Sequence, residues 1–195
     1  MLLVDGYAGA ITIAPGPQQA REFQQLINEE QLLYAKIDAL GNEPSITQDH
    51  HEMHLYVNTG LAVKHDLADN DNIKGVGLFR TEIPFMQSDY FPPEQEQYEL
   101  YRSILQVNPD KDITMRTLDV GGDKPLSYLP IVEDNPFLGW RGIRLTLDQP
   151  EIFLVQARAM IRASEDFTNL QIMLPMITTV SEVKEAKRLL KQAFF

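Results

Sequence analysis

Two predicted strands end in the same pattern: an arginine, a threonine and then an acid. The first ends Phe79-Arg80-Thr81-Glu82 and the second Met115-Arg116-Thr117-Leu118-Asp119. Because ligands of α/β proteins lie at the carboxyl ends of the strands, neighbouring strands would aim Arg80 and Arg116 at one spot. The donor fork of a guanidinium matches phosphate or carboxylate oxygens, so the repeated pattern predicts an anion site. The acids would orient the guanidiniums or approach a metal; surface ion pairs remain the alternative.

Two further segments carry basic side chains between glycines. Val120-Gly121-Gly122-Asp123-Lys124-Pro125 lacks the Walker spacing of a phosphate-binding loop and, taken alone, indicates a plain turn. The segment Asn135–Arg144 holds the only tryptophan and two arginines. Arg141 is either a third arginine entering the same pocket or a solvated arginine on a packed loop.

Other candidate motifs are weaker. Gly75-Val76-Gly77 lacks the third glycine of a dinucleotide-binding fingerprint and lies inside a predicted strand. His50, His51 and His54 are close in sequence, but no carboxylate cluster at metal-ligand spacing accompanies them. These histidines are interpreted as a polar loop that runs into a strand.

The predicted elements place the arginines on a sheet. The N-terminal elements are a hairpin over residues 1–14 and a helix over 17–40. Later strands are predicted at 53–58, 75–80, 113–117 and 170–174. Helices are predicted at 92–107, from an Asp148 cap to 163, and from a Ser181 cap to the last residue. Strands alternating with helices favour a parallel sheet, and four strands cannot close an eight-stranded barrel.

The net charge, the apolar runs and the cysteine content exclude several classes of protein and ligand. The 195 residues carry a net charge of −11, which disfavours nucleic acid and anionic membrane as partners. No apolar run reaches the ~18 residues of a membrane span, and the first residues do not resemble a signal peptide. The chain contains no cysteine, so it offers neither disulfides nor a thiolate nucleophile. A cytoplasmic location is compatible with these features.

The charge is unevenly distributed along the chain. Residues 1–110 hold 6 basic and 17 acidic side chains, whereas residues 111–195 hold 11 of each. An anionic ligand would therefore need a local cluster of arginines and would meet least repulsion in the second part.

Three motifs, in order, resemble the phosphoenolpyruvate-utilising enzymes. They span residues 75–82 (GVGLFRTE), 115–124 (MRTLDVGGDK) and 135–144 (NPFLGWRGIR). The chain is most similar to Enzyme I of the phosphoenolpyruvate-dependent phosphotransferase system, the phosphoenolpyruvate-protein phosphotransferases. Residues 117–120 and 141–151 resemble the nitrogen-related branch of that family, which carries a GAF domain.

The resemblance implies an α/β fold, a mechanism and a set of partners. The fold would be the first half of a phosphoenolpyruvate-binding (β/α)8 TIM-type barrel, preceded by a hairpin and linker helix from the phosphohistidine domain. Phosphoenolpyruvate would bind with Mg²⁺, and its phosphoryl group would pass to a histidine and then to an HPr-type phosphocarrier protein. Arg80 and Arg116 match the arginines that hold the phosphate, and Lys124 and Arg141 fall in motifs that line the same pocket. A homodimer and roles in sugar transport or nitrogen regulation are further implications for the full-length protein.

The resemblance also implies which parts this chain lacks. Residues 1–16 would be the end of the phosphohistidine domain, 17–50 the linker helix and loop, and 51–195 the first half of the barrel. The family's phospho-accepting histidine lies in a Gly-Gly-x-x-Ser-His type motif, which surrounds none of the four histidines, His50, His51, His54 and His65. The metal carboxylates and the acid/base cysteine are expected beyond Phe195.

Two classes of function follow from these observations. The first is part of a phosphoenolpyruvate-protein phosphotransferase that is inactive on its own, with any residual anion binding dependent on Arg80 and Arg116. The second is a non-catalytic interaction or dimerisation module, because a half-barrel would expose unpaired strand edges. A truncated product without a function of its own is a third alternative.

Overall fold

The computed structural model describes residues 1–41, 43–60, 72–107, 109–124, 126–132, 134–135 and 137–194. The chain divides into two compact units, Met1–Glu52 and Met53–Phe195. The assignment of residues 1–16, 17–50 and 51–195 to parts of known domains stays a prediction. No helix among the described residues is both long and apolar enough to cross a membrane.

The first unit consists of a hairpin and a long helix. Strands β1 (Leu2–Asp5) and β2 (Ala10–Ile13) pair antiparallel. The Asp5 carboxylate accepts the backbone N–H groups of Tyr7 and Ala8, each at 2.9 Å, and so closes the turn. Helix α1 (Pro17–Leu40) begins with proline, which needs no intrahelical N–H partner in the first turn. Both predicted elements are confirmed.

The second unit is built on a parallel four-stranded sheet. Its order is β3 (Leu55–Thr59), β4 (Ile73–Arg80), β5 (Asp112–Arg116) and β6 (Leu170–Met173). Every neighbouring pair is parallel, as alternating strands and helices predict. The strands follow chain order in an open sheet within the described part of the chain, which confirms the α/β class and the partial TIM-type fold.

Five helices belong to this unit: α2 (Glu82–Gln87), α3 (Glu94–Leu105), α4 (Ile143–Asp148), α5 (Pro150–Ala163) and α6 (Val180–Phe194). The sequence predicts three of them, α3, α5 and α6. Helices α2 and α4 have six residues each, which is too short to show a helical period in the sequence.

Both predicted helix caps are wrong. Asp148 is the last residue of α4, and Gln149 occupies the N-cap of α5 without a side-chain bond. Ser181 lies inside α6; Thr179 instead accepts the Glu182 N–H at 3.3 Å, while the Glu182 carboxylate accepts the Thr179 N–H at 2.7 Å. This reciprocal pair is a capping box, and it satisfies two N–H groups where the serine two residues after Thr179 satisfies none.

The hydrophobic core lies between the sheet and helices α3 and α5. Strand residues Val76, Phe79, Ile113 and Met115 are fully buried in it. The helix residues packed with them are Tyr101, Ile104, Leu105, Ala159, Met160 and Ala163. A second cluster joins α5 to α6. The core therefore holds the two arginine-bearing strands rigidly against the helices.

Replacing Gly75 by alanine is expected to destabilise the sheet. A Cβ at Gly75 would lie 2.1 Å from the carbonyl oxygen of Asp112, so β4 and β5 would have to separate. We expect a loss of about 1–3 kcal/mol, as for other overpacked sites, measured by urea unfolding. Gly16→Ala adds the same atom in open space and serves as the control. Equal stability of the two variants would contradict the close approach of the strands.

Glu94 links α3 to α5 and makes stability depend on pH. Its carboxylate accepts the Arg158 Nε–H at 2.9 Å and an Arg162 Nη1–H at 2.5 Å. The hydrogen bond from Arg158 holds the pKa of Glu94 below its usual value, with Arg162 adding to the effect against partial burial. A carboxyl group whose pKa is lower in the folded state than in the unfolded state stabilises the fold at pH values above its unfolded-state pKa. This stabilisation is lost as the pH falls through the folded-state pKa.

The Glu94→Gln variant tests this linkage. Because the ion pairs of Glu94 are partly exposed, we expect the variant protein to be less stable than the parent by about 0.5–1 kcal/mol at neutral pH. The difference should shrink as the pH is lowered through the acid range, where the parent carboxyl also becomes neutral. Urea unfolding across pH measures it, with the exposed Glu151→Gln as the control. A difference that is independent of pH would contradict the assignment.

Candidate functional site

Arg80 and Arg116 are the last residues of β4 and β5, and they are direct neighbours across the parallel ladder. The preceding residues, Phe79 and Met115, are likewise paired and point into the core. Since side chains alternate along a strand, both arginines lie on the other face, at the carboxyl edge of the sheet. The structure thus brings together the two residues that the repeated pattern singles out.

Three acids and three bases form an ion-pair cluster at this edge. Its members are Glu82, Asp119, Asp123, Arg116, Lys124 and Arg141. Arg116 donates from Nη2 to Glu82, and its Nη1 forms an ion pair with Asp119 at 3.1 Å. Lys124 lies 3.3 Å from the same Glu82 oxygen and 3.7 Å from Asp119. The acids therefore orient the guanidinium of Arg116, one of the two roles predicted for them.

Arg141 joins the cluster from the loop before α4. Its Nε and Nη2 donate to Asp119 at 3.1–3.3 Å, and its Nη1 donates to Asp123 at 3.0 Å. The side chain is buried, with 7 % of its surface exposed. Every guanidinium nitrogen of Arg141 is thus engaged with a carboxylate, and its direct effect is to hold Asp119 in place.

Arg80 has no such counter-ion. The three bases of the cluster are balanced by its three acids, whereas Arg80 makes no ion pair with any described residue. Its Nε is buried and lacks a hydrogen-bond partner. The edge therefore carries an excess of one positive charge, located at Arg80, in a protein whose net charge is −11.

Buried polar atoms without partners gather at the same edge. Within the described part of the chain they include the Nε atoms of Arg80 and Arg116, Glu82 Oε2 and the hydroxyls of Thr59 and Thr117. Thr59, Arg80 and Arg116 are the final residues of three adjacent strands. An unsatisfied buried polar group costs roughly 1–3 kcal/mol, so a group of them at one place indicates a binding site.

The two glycine-containing loops border this site. Lys124 N–H donates to Gly121 O at 3.0 Å, so residues 121–124 form a plain turn, as their spacing indicates. Gly142 has φ +55°, and a Cβ there would lie 3.2 Å from Asp119 Oδ1 and 3.0 Å from Met176. Glycine lets the chain pass beside Asp119 and turn directly into α4.

The ion pairs that form the cluster among the described residues involve no histidine. His50 and His51 belong to a turn in which the Thr47 backbone bonds both, at 2.9 Å each. Among the described residues, no group of three or more histidine, cysteine or acidic side chains could hold a metal ion. His65 lies outside the described residues.

Sequence reasoning missed Gln156, which is buried on α5 and bonds to the backbone N–H of Leu118 at 2.8 Å. The available signal is its position. It lies on the helix face that also buries Phe153, Ala157 and Met160, where a lone amide demands hydrogen-bond partners.

The chemistry available here is recognition of a compact anion. Guanidinium donors of Arg80 and Arg116 suit the oxygens of a phosphoryl group, and Lys124 adds a point charge nearby. The buried carboxylates hold these cations at close range against their mutual repulsion. A protein promotes phosphoryl transfer mainly by positioning the reacting groups and by neutralising the charge of the phosphoryl oxygens.

The sequence of the chain matches a known protein family and several known proteins. Residues 34–194 match the family described as "PEP-utilising enzyme, PEP-binding domain". The chain is 49% identical over 192 residues to proteins of Salmonella typhimurium and Escherichia coli K12 named "Phosphoenolpyruvate-dependent phosphotransferase system". It is 41% identical over 198 residues to the "Phosphoenolpyruvate-protein phosphotransferase" of Bacillus subtilis.

These matches cover nearly all of this chain but a small part of each relative. The coverage is 98% of the chain and 26% of the Salmonella and Escherichia proteins, and 97% of the chain and 33% of the Bacillus protein. The chain thus spans about a quarter to a third of the length of these relatives.

Proposed function

The chain belongs to the PEP-utilising enzymes through their PEP-binding domain, and from this premise we propose that Arg80, Arg116 and Lys124, together called the strand-edge site, bind the phosphoryl group of phosphoenolpyruvate. The observation that carries the proposal is the pairing of Arg80 with Arg116 at adjacent strand ends. Arg80 has no counter-ion among the described residues and a buried, unpartnered Nε. A phosphoryl oxygen supplies the acceptor and the negative charge that this position is missing.

The site residues take different roles in this proposal. Arg80 and Arg116 contact the phosphoryl oxygens, and Lys124, on the neighbouring turn, contributes a third cationic donor. Arg141 acts through Asp119, because each of its nitrogens already donates to a carboxylate. Glu82 and Asp119 keep Arg116 and Lys124 extended toward the edge of the sheet.

We propose that a longer protein with the length of these relatives transfers the phosphoryl group, and that this chain is the part of it that binds the substrate. The enol oxygen–phosphorus bond of phosphoenolpyruvate breaks, a bond from phosphorus to a histidine nitrogen forms, and the enolate left behind takes a proton at carbon to give pyruvate. The histidine then passes the phosphoryl group to an HPr-type phosphocarrier protein. Two relatives bear the name of the phosphotransferase system, and the Bacillus relative is named a phosphotransferase acting on protein.

A magnesium ion does not fit the described residues. Each acid at the site, Glu82, Asp119 and Asp123, already accepts from at least one arginine or lysine. No cluster of three or more metal-binding side chains occurs in the described ranges. Any Mg²⁺ that acts with phosphoenolpyruvate would need carboxylates other than these.

Calorimetric titration of the chain with phosphoenolpyruvate tests the proposal. We expect binding of phosphoenolpyruvate and much weaker binding of pyruvate, which has the carboxylate but no phosphoryl group. Equal affinity for the two ligands, or no binding of either, would contradict a phosphoryl site. Labelled phosphoenolpyruvate should leave no stable phosphohistidine on this chain.

A further inference from the structure

Gln156 lies at the centre of a buried hydrogen-bond network beneath the strand-edge site. It is 1 % exposed and projects from the middle of α5. Its Nε2 donates to Thr81 Oγ1 at 3.2 Å and to the Tyr101 hydroxyl at 3.0 Å. Its Oε1 accepts the Leu118 N–H at 2.8 Å. Both amide hydrogens and the carbonyl are therefore used.

Two of these bonds reach the segments that carry the arginines. Thr81 directly follows Arg80, and Leu118 comes two residues after Arg116. Thr81 Oγ1 also donates to the carbonyl oxygen of Arg116 at 2.8 Å, which ties the end of β4 to the end of β5. We call Gln156, Thr81 and Leu118 the strand-end bracket, because together they join both strand ends to α5.

The third bond anchors the glutamine from the opposite side. The Tyr101 hydroxyl donates to Gln97 Oε1 at 3.1 Å, and Gln97 Nε2 donates to the Pro92 carbonyl at 2.7 Å. Burial raises the pKa of Tyr101 far above its usual value, so the phenol stays protonated and keeps donating. Tyr101 must then accept from Gln156, which fixes the orientation of the amide.

This arrangement requires a glutamine. The Thr81 hydroxyl donates its hydrogen bond to the Arg116 carbonyl, and the Tyr101 hydroxyl donates to Gln97. Each hydroxyl oxygen can therefore only accept from the side chain at position 156. The Leu118 N–H needs an acceptor there. Of the side chains of this length, only a glutamine amide presents two donors and one acceptor together.

From this geometry we propose that Gln156 is a positioning residue for the strand-edge site. Through Thr81 and Leu118, Gln156 sets the relative placement of Arg80 and Arg116. The inference rests on the proposed function in one respect only, namely the identity of the ligand. Two arginines on adjacent strands repel each other, and the bracket holds the backbone from which both project. A site for a compact anion depends on that placement, because small displacements of its donors lose binding.

Three variants test the bracket by calorimetry with phosphoenolpyruvate. Gln156→Leu removes all three bonds at nearly constant volume, and Thr81→Val removes the hydroxyl that links the strands. We expect each to weaken binding about 10-fold, a difference of ~1.4 kcal/mol. Thr81→Ser keeps the hydroxyl and should keep the affinity.

Tyr101→Phe is the matched control. It also removes a buried bond to Gln156, but it leaves Thr81 and Leu118 in place. We expect its affinity to stay within about twofold of the parent, even where its midpoint of thermal unfolding falls as much as that of Gln156→Leu. Equal losses of affinity in Gln156→Leu, Thr81→Val and Tyr101→Phe, or no loss in any of them, would overturn the proposal.

Side-chain NMR of the arginine Nε–H groups in the ligand-free chain separates this inference from the proposed function. If the parent does not bind phosphoenolpyruvate, the proposed function fails, and the NMR spectra still decide the role of Gln156. We expect slowly exchanging, dispersed Nε–H signals for Arg80 and Arg116 in the parent and in Tyr101→Phe. Gln156→Leu should lose that dispersion, and unchanged signals would overturn the positioning role.

Discussion

Replacing Arg80 by alanine is expected to weaken the binding of phosphoenolpyruvate about 100-fold, which corresponds to roughly 2.7 kcal/mol. Losing one partner of a desolvated charge pair typically costs 2–5 kcal/mol of binding, and Arg80 is the guanidinium best placed to form one. The other cations of the site share their charge with Glu82, Asp119 and Asp123. Removing Arg80 therefore removes the excess positive charge of the edge.

Calorimetry across a small set of variants measures this effect. Arg80→Lys keeps the charge but not the fork of donors, so we expect an intermediate loss. Arg188→Ala removes an equal charge from the exposed face of α6, where Arg188 pairs with Glu185, and should bind as the parent does. An unchanged affinity in Arg80→Ala would place the anion elsewhere and remove the basis of the proposed function.

Asp119→Ala is expected to cost about 3–5 kcal/mol of stability, the usual loss when one partner of a buried ion pair is removed. Asp119 forms an ion pair with Arg116 at 3.1 Å and accepts hydrogen bonds from two nitrogens of Arg141. Arg141 is 7 % exposed, so after the substitution most of a buried guanidinium would face no acceptor. Lys124 would lose a neighbouring charge as well.

Urea unfolding followed by the fluorescence of Trp140, the only tryptophan, measures this loss. Asp166→Ala breaks the exposed pair with Arg102 and should cost less than about 1 kcal/mol. Removing both partners in Asp119→Leu with Arg141→Met should restore part of the stability, because the buried guanidinium is removed together with its main acceptor, while Asp123 loses its partner. A loss for Asp119→Ala as small as that of the exposed pair would show that the cluster contributes little.

Local patterns were enough to predict the elements with strong periodicity or punctuation. The hairpin, α1 and the four parallel strands follow from alternating apolar runs, turn residues and prolines, which act over a few residues. The short helices α2 and α4 and both caps could not be predicted in this way. A cap is chosen by competition among nearby side chains, and Thr179 with Glu182 satisfies two backbone groups where Ser181 satisfies none.

The types and spacing of residues along the chain are enough to predict which chemistry it carries. Arg80 and Arg116, each ending a strand and each followed by threonine and an acid, already predict an anion site, and the three motifs around them indicate the family that residues 34–194 match. Parallel pairing of β4 and β5 then makes the two arginines neighbours. Residue type and position within a strand are local properties, and they can be read from the chain directly.

The distribution of charge among these residues, in contrast, depends on how the chain folds in three dimensions. The fold pairs Arg141 with Asp119 and Asp123, shares Glu82 between Arg116 and Lys124, and leaves Arg80 without a counter-ion among the described residues. It also brings Gln156, 75 residues away in sequence, into contact with Thr81. Ion pairing and hydrogen bonding depend on distances of about 3 Å between side chains from separate elements, and folding alone sets those distances.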